Sequence, residues 1–111
     1  TEGCVIHGKV ESSVIFAGVT IEEGAEIVQS ILMPGTVVRK GAKVQYAILA
    51  ENVDVGEGAV VGEAPEQIDD LDRWGVAVVA SGISVGKNAK VLAKAMVEEN
   101  VNEGEEVSTH A

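Results

Sequence analysis

The chain has 111 residues, enough for one domain, and its formal net charge is −10. This charge argues against nucleic acid and anionic membranes as partners, and the lack of an apolar run of eighteen residues argues against a membrane-spanning helix. Aromatic residues make up only 3%, whereas Val, Ile and Ala supply most of the apolar content. That mixture is typical of a solenoid with a narrow core.

Residues 1–12 are predicted to be the end of a coil, because they align with the second half of a seventeen-residue repeat that begins at Ser13. In that alignment Cys4 falls in the inward column of Ile21, so we expect a buried small hydrophobe rather than a nucleophile. His7 falls in a turn column, where a solvent-facing histidine is expected. Because the chain begins in the middle of a coil, it is interpreted as a piece of a longer protein.

Residues 13–63 form three rows of seventeen that align with one another, and residues 77–93 form a fourth row. Four positions of the row keep one type of residue throughout. The second position reads Val14, Ile31, Ile48, Val78; the ninth reads Ile21, Val38, Val55, Val85; the thirteenth reads Ala25, Ala42, Ala59, Ala89; and the fifteenth reads Ile27, Val44, Val61, Val91. Such columns predict coils in which each residue stacks on its copy in the next coil.

Two further positions of each row hold glycine or asparagine, which enter the left-handed backbone region at low cost. They are Gly18, Gly35, Asn52 and Gly82 in one column and Gly24, Gly41, Gly58 and Asn88 in the other. Each marks a turn beside a short β-branched run, which predicts a strand. This six-residue unit resembles the hexapeptide repeat of left-handed parallel β-helices. The expected fold is therefore all-β, a single-stranded left-handed parallel β-helix of about five coils, with one tightened corner because seventeen is one short of three hexads.

Residues 64–76 interrupt the repeat, and insertions in solenoids form corner loops, often on a working face. Four of their carboxylates form a candidate cation site: Glu66, Asp69, Asp70 and Asp72. A solvated loop is the expected role, because the spacing is not that of a calcium loop. Trp74 is predicted to pack the insertion onto the wall of the solenoid, and stacking on a ligand is the alternative.

The chain after the fourth row continues as a degenerate coil, Lys94–Val101. The predicted β-helix domain therefore covers residues 1–101, and residues 102–111 are predicted to be an acidic, disordered tail. Only two histidines occur, His7 and His110, and the second lies in that tail. A zinc site of three histidines shared between subunits is therefore not expected.

Sequence motifs for catalysis are not found in a fitting context: there is no phosphate-binding loop, nucleophile elbow or dinucleotide fingerprint. An acyltransferase of this fold would need a catalytic histidine near a coil face, and the turn position of His7 does not favour that role. We therefore predict no catalytic, cofactor-binding or metal-binding residue in this segment.

Five basic residues form the candidate anion or effector site. They are Arg39, Lys40 and Lys43 on one coil and Lys87 and Lys90 on another. Lys40 and Lys87 share the eleventh column of the repeat, and Lys43 and Lys90 share the fourteenth. Stacked cations in an acidic protein are suited to holding a phosphate. An ordinary solubilising surface is the alternative interpretation.

The residues between the hexads carry a more specific resemblance. Ser13–Phe16, the corner Met33–Gly35 and the stretch Ala47–Ala59 are similar to the C-terminal β-helix of bacterial glucose-1-phosphate adenylyltransferase, also called ADP-glucose pyrophosphorylase. Ser81–Ile83 is similar to the segment that follows the last long loop in that family. The likeness covers roughly residues 1–100 and fits the catalytic subunit and its regulatory paralogue alike.

The resemblance implies that the parent protein makes ADP-glucose and diphosphate from ATP and glucose 1-phosphate in glycogen biosynthesis. Its ATP and Mg²⁺ would bind to an N-terminal catalytic domain outside this segment, which alone would be inactive. The segment would pack against that domain, support a homo- or hetero-oligomer such as a tetramer, and contribute to regulation by phosphate or a sugar phosphate in the cytoplasm. The alternative is a trimeric acyltransferase or the β-helix of another sugar-phosphate nucleotidyltransferase.

Self-association is expected through the upstream end of the solenoid or through its side. A β-helix exposes unpaired strand edges at its ends, and such edges invite further pairing. The acidic tail, with Glu103, Glu105 and Glu106, is expected to repel stacking at the downstream end.

Overall fold

The structure is a computed structural model that describes residues 3–65 and 75–108. Within these ranges the chain forms short parallel strands in three sheets and no α-helix. The chain visits the three sheets in turn, and each strand pairs with the strand one coil away, so every sheet forms one wall of a prism. The predicted parallel β-helix is confirmed, with about six turns rather than five because one sheet has six strands. Its left-handed sense stays a prediction.

The strands are two or three residues long and are numbered in chain order. Sheet A contains β1 (Val5–Ile6), β4 (Thr20–Ile21), β7 (Val37–Val38), β10 (Asp54–Val55) and β13 (Ser84–Val85). Sheet B contains β2 (Lys9–Glu11), β5 (Glu26–Val28), β8 (Lys43–Gln45), β11 (Val60–Val61), β14 (Lys90–Val91) and β16 (Glu106–Val107). Sheet C contains β3 (Val14–Ile15), β6 (Ile31–Leu32), β9 (Ala47–Leu49), β12 (Ala77–Val79) and β15 (Met96–Val97).

The core consists of the inward columns that the repeat predicts. Every residue of the ninth, thirteenth and fifteenth columns is buried. Val55, for example, is fully buried and pairs with Val38 in one neighbouring coil and with Val85 in the other. A further aliphatic column, on sheet C, places Leu32 and Leu49 in the same core. Aliphatic side chains from all three walls therefore fill the prism, which leaves no space for aromatic rings.

The turns have the backbone conformation that their residue types predict. All eight residues of the two glycine and asparagine columns have positive φ, from 57° at Asn52 to 81° at Gly24. The tightened corner lies between sheets B and C, where Ser12, Gln29 and Tyr46 have φ near 48°. One left-handed residue thus replaces the two-residue turn of the other corners, which accounts for a coil of seventeen.

Serine hydroxyls stabilise this tightened corner. The buried Ser30 donates a hydrogen bond from Oγ to the carbonyl of Val28 at 2.8 Å, and the same Oγ accepts the backbone N–H of Ala47 at 3.2 Å. In the preceding coil, Ser13 Oγ accepts the N–H of Ser30 at 3.0 Å. Because the corner is too tight for a regular ladder, the hydroxyl supplies the partner that a buried N–H requires.

The first coil corrects two positions of the predicted alignment. Ile6, and not Cys4, pairs with Ile21, because the corner after β1 is two residues shorter than in later coils. Cys4 is therefore only partly buried, and its Sγ donates to the carbonyl of Phe16 at 3.1 Å. His7 takes the position after the inward aliphatic residue instead of the turn position, since its N–H donates to the Ile21 carbonyl. It is exposed, as predicted.

The last coils depart from seventeen residues in both directions. Val78 pairs with Met96 eighteen residues later, whereas Val85 pairs with Val101 only sixteen residues later. The shortened corner lacks the carbonyl that would accept the N–H of Ser84. The side-chain Oδ1 of Asn100 accepts it instead, at 2.9 Å.

The solenoid also continues past the predicted boundary at residue 101. Glu106–Val107 is strand β16 and pairs with Lys90–Val91, so the prediction of a disordered tail from 102 is wrong for this part. The physical reason is a further hexad, which begins at Val101 and turns at Gly104 with φ of 72°. Its alanine position holds Glu105, which is tolerated because that residue is exposed in the final coil.

The insertion leaves the prism at the corner between sheets B and C. Gly62 has φ of 84°, and a Cβ there would overlap the Gln45 carbonyl. Gln45 Nε2 donates to the Gly62 carbonyl at 3.2 Å, and Glu63 Oε1 accepts the N–H of Ala93 at 2.9 Å, so the root of the insertion is bound to both neighbouring coils. Predictions for Glu66, Asp69, Asp70, Asp72, Trp74 and His110 concern residues outside the described ranges.

Candidate functional site

The outward side chains distinguish sheet C from the other two walls. Its outward positions form a surface that we call the apolar face. They are Val14, Ile31, Ile48, Val78 and Met96 in one column and Phe16, Met33, Ala50, Ala80 and Glu98 in the other. Nine of these ten side chains are uncharged and apolar. The exposed fraction reaches 53% at Val14, 40% at Phe16 and 70% at Met96. Contiguous exposed apolar surface of this kind marks an interaction site more often than a free surface.

The second column of the repeat, which includes Ile31 and Ile48, therefore faces outward. Its aliphatic residues alone do not distinguish it from an inward column. The sequence contains a signal that locates it: Ile31 and Ile48 each precede a second aliphatic residue, Leu32 or Leu49. Neighbouring residues of a strand point to opposite faces, so only one of each pair can enter the core. The structure buries Leu32 and Leu49 completely and leaves Ile31 and Ile48 partly exposed.

The outward surface of sheet A is mixed in character and contains Arg39, one of the predicted anion contacts. Its guanidinium donates two hydrogen bonds to the carboxylate of Asp54 in the next coil. Nη2 donates to Oδ2 at 2.7 Å, and Nε donates to Oδ1 at 3.1 Å. Glu22, in the preceding coil, lies 3.6 Å from Nη1. The hydrogen bond and the charge of Asp54 raise the pKa of Arg39, so the side chain stays cationic. Arg39 therefore lies between two carboxylates, and its role as an anion contact stays a prediction.

The predicted lysine contacts lie in two columns, of which the eleventh alternates in charge and the fourteenth is interrupted by the uncharged Val60. The eleventh column reads Glu23, Lys40, Glu57, Lys87 and Glu103, and the fourteenth reads Lys9, Glu26, Lys43, Val60, Lys90 and Glu106. The structure therefore does not bring Lys40 and Lys87 together, because Glu57 lies between them. Lys43 and Lys90 are separated by the uncharged Val60, which pairs with both. Of the two stacked lysine pairs, this one has no carboxylate between its members.

Cys4 and His7, the two residues weighed for a catalytic role, both lie in the first coil of the described chain. His7 is exposed, and the Cys4 thiol donates a hydrogen bond to the backbone carbonyl of Phe16. Residues 3–65 and 75–108 contain no group of three or more His, Cys, Asp or Glu side chains arranged to hold a metal ion. Over the same ranges, no helix has the length and apolar character needed to cross a membrane.

Comparison with known proteins assigns the repeat to a family. A family model described as GlmU-like, C-terminal hexapeptide, matches residues 1–85. A glucose-1-phosphate adenylyltransferase of Acetivibrio thermocellus is 63% identical over 27 residues, which are 24% of this chain and 6% of that enzyme. The matched segment is therefore a small part of a much longer protein. No solved structure matches significantly.

Proposed function

Because this chain belongs to the family of GlmU-like C-terminal hexapeptide domains, we propose that it is a non-catalytic assembly domain of a sugar-phosphate nucleotidyltransferase. The observation that carries the proposal is the apolar face of sheet C. It extends over all five strands of that sheet, and among its ten positions only Glu98 is charged. The chain has a net charge of −10, so a partner that packs on the apolar face avoids burying most of its unpaired carboxylates.

A second copy of this chain is the partner that we propose for the apolar face. Two solenoids lying side by side would each bury the same columns, as a two-fold symmetric contact requires. Five strands about 4.8 Å apart and two outward columns give a flat area on the order of 300 Å² per copy. A stable interface buries about 800 Å² per partner. The isolated chain is therefore expected to associate weakly, and the contact would be strengthened in a parent whose other domain also contributes.

The parent enzyme of the proposal is glucose-1-phosphate adenylyltransferase. The short match to the Acetivibrio thermocellus protein supports it, as does the resemblance of Ser13–Phe16 and Met33–Gly35. ATP, Mg²⁺ and glucose 1-phosphate would then be handled by a domain outside this chain. The acyltransferase alternative has no support from the described residues, since the exposed His7 has no catalytic partner assembled around it.

The assembly proposal is tested by sedimentation equilibrium of the 111-residue chain over a wide concentration range. Ile48→Lys places a charge at the centre of the apolar face, and Val60→Lys makes the same change at a partly buried outward position of sheet B. We expect self-association of the unmodified chain and of Val60→Lys, and none of Ile48→Lys. A chain that stays monomeric at millimolar concentration, or equal disruption by both variants, would refute the proposal.

The assignment of chemistry to another domain is tested separately, by an assay for ADP-glucose from ATP, glucose 1-phosphate and Mg²⁺. The 111-residue chain is expected to show no turnover. A parallel assay with acetyl-coenzyme A and amino-sugar phosphates tests the acyltransferase alternative. Turnover in either assay by the pure chain would contradict a non-catalytic role.

A further inference from the structure

The apolar face of sheet C is not uniform in height. In one of its two columns, Phe16 and Met33 follow strands β3 and β6, whereas Ala50 and Ala80 follow the next two strands, β9 and β12. We call these four positions the uneven column. The other column has aliphatic side chains of similar size on the same strands: Val14, Ile31, Ile48 and Val78. The face therefore projects at two coils and recedes at the next two.

Backbone hydrogen bonds hold the uneven column in one line. The N–H of Phe16 donates to the carbonyl of Leu32 at 3.0 Å, and the N–H of Met33 donates to the carbonyl of Leu49 at 2.9 Å. The same kind of bond recurs from Ala50 in the next coil. Because neighbouring coils lie about 4.8 Å apart, the four side chains span roughly 14 Å along the solenoid. Two projections and two hollows of equal length therefore follow one another on this face.

A second copy of the chain can lie on this face in two orientations, because a two-fold axis can run along the solenoid or across it. With the axis along the solenoid the copies are parallel, and each coil faces the same coil of its partner with the two columns exchanged. Met33 would then face Ile31 of the partner copy, and Ala80 would face Val78. Bulky side chains would meet at the upstream coils and leave a gap at the downstream coils, which is poor packing.

With the axis across the solenoid the copies are antiparallel, and each column faces its own copy in reversed coil order. If the axis passes between β6 and β9, Met33 faces Ala50 of the partner copy and Phe16 faces Ala80. Each bulky side chain then meets a hollow, and the two-fold axis repeats every such contact. Complementary shapes of this kind are what the core of a specific interface requires.

The antiparallel arrangement also keeps charge out of the contact. It joins strands β3, β6, β9 and β12 of both copies, and all eight outward side chains of these strands are uncharged. Glu98, which follows β15, stays outside the contact, where its carboxylate remains hydrated. In the parallel arrangement Glu98 would instead be buried against Met96 of the partner copy.

From this match of projections and hollows we propose that two copies of the chain pack antiparallel on their apolar faces, with the two-fold axis between β6 and β9. The inference rests on the assembly function proposed above and adds to it the orientation and register of the two copies. Met33 and Ala50 determine the register, because they lie next to the axis and face each other across it.

The test places opposite charges on two different chains. Met33→Glu and Ala50→Lys each bring an unpaired charge into the contact, so each variant alone should be monomeric in sedimentation equilibrium at concentrations where the unmodified chain associates. An equimolar mixture of the two should associate at least about tenfold more tightly than either variant alone, because the glutamate of one copy then faces the lysine of the other.

Two further mixtures are the matched controls. Met33→Glu mixed with Ile31→Lys would associate if the copies were parallel, and Met33→Glu mixed with Ala80→Lys would associate if the axis passed through β9. Recovery in either control in place of the Ala50→Lys mixture would overturn the proposed orientation or register, while assembly through the apolar face would stand. An unmodified chain that stays monomeric would refute the assembly function itself.

A second measurement does not depend on charged variants. With Cys4 replaced by Ser, chains carrying Met33→Cys are mixed with chains carrying Ala50→Cys and treated with a short bismaleimide. The main cross-linked product should join position 33 of one chain to position 50 of the other, as identified by mass spectrometry. Main products that join two chains through position 50 alone, or no cross-linking under conditions where the chains associate, would overturn the proposed register.

Discussion

Arg39 and Asp54 are joined by a bidentate ion pair that links two successive coils of sheet A. Arg39 Nη2 donates to Oδ2 at 2.7 Å, and Nε donates to Oδ1 at 3.1 Å. The two side chains are 43% and 39% exposed, so water screens their attraction. The pair orients the guanidinium of Arg39 toward Asp54, and the anion contact predicted for this residue stays a prediction.

The first prediction concerns the strength of this pair. In a double-mutant cycle with Arg39→Ala and Asp54→Ala, the coupling free energy should be about 0.5–1 kcal/mol, because exposed pairs gain little over hydration. Urea unfolding at low and high salt measures it, and the coupling should shrink at high salt. A coupling that salt does not change would mean that the two side chains interact through packing instead of charge.

The second prediction separates inward from outward columns. Val55→Asp buries a carboxylate between Val38 and Val85 and should cost several kcal/mol of unfolding free energy. Val60→Asp places the same group at an outward, partly exposed position and should cost about 1 kcal/mol or less. Thermal unfolding followed by circular dichroism compares them. Equal destabilisation would show that the two columns are misassigned.

The third prediction concerns the tightened corner. Ser30→Ala removes the hydroxyl that accepts the N–H of Ala47 and leaves this buried donor without its partner. The expected loss is about 1–3 kcal/mol of unfolding free energy. Ser84→Ala, at an exposed position of sheet A, is the matched control and should change stability by less than about 0.5 kcal/mol. Similar values for the two variants would show that the hydroxyl does not stabilise the corner.

The fourth prediction concerns the root of the insertion. Both Gly62 and Gly82 have positive φ, 84° and 74°, so alanine at either position costs about 1–2 kcal/mol of backbone strain. At Gly82 a Cβ meets nothing within 4 Å, whereas at Gly62 it overlaps the Gln45 carbonyl. Gly62→Ala should therefore be the more destabilising variant in urea unfolding. Equal stability of the two would mean that the corner can open without cost.

The fifth prediction concerns the proposed effector. Lys43 and Lys90 flank the uncharged Val60, whereas Lys40 and Lys87 flank Glu57. Calorimetric titration with phosphate and glucose 1-phosphate should therefore show binding that is lost when Lys43 and Lys90 are both replaced by Gln. Replacing Lys40 and Lys87 by Gln should have a smaller effect. Absence of binding to the unmodified chain would remove the effector role from this domain.

The sequence by itself determined the coil and most of the core. A solenoid residue packs mainly on its own copies in neighbouring coils, so a repeated column carries the tertiary contact within the sequence. This is why Val38, Val55 and Ala59 are buried as predicted, and why Gly24 and Asn52 have positive φ. The tightened corner followed from the count of seventeen, since one residue fewer per coil needs one left-handed corner residue.

Only the tertiary structure decided the register at the two ends and the identity of the outward surfaces. Corners that are two residues shorter than in the other coils make Ile6 pair with Ile21 and Val101 pair with Val85. No local sequence pattern marks where a corner loses two residues. The apolar face of sheet C and the ion pair of Arg39 likewise depend on which outward side chains of successive coils lie next to each other. Outward columns tolerate any residue type that water or a partner can cover, so their composition reports function only once the sheets are assembled.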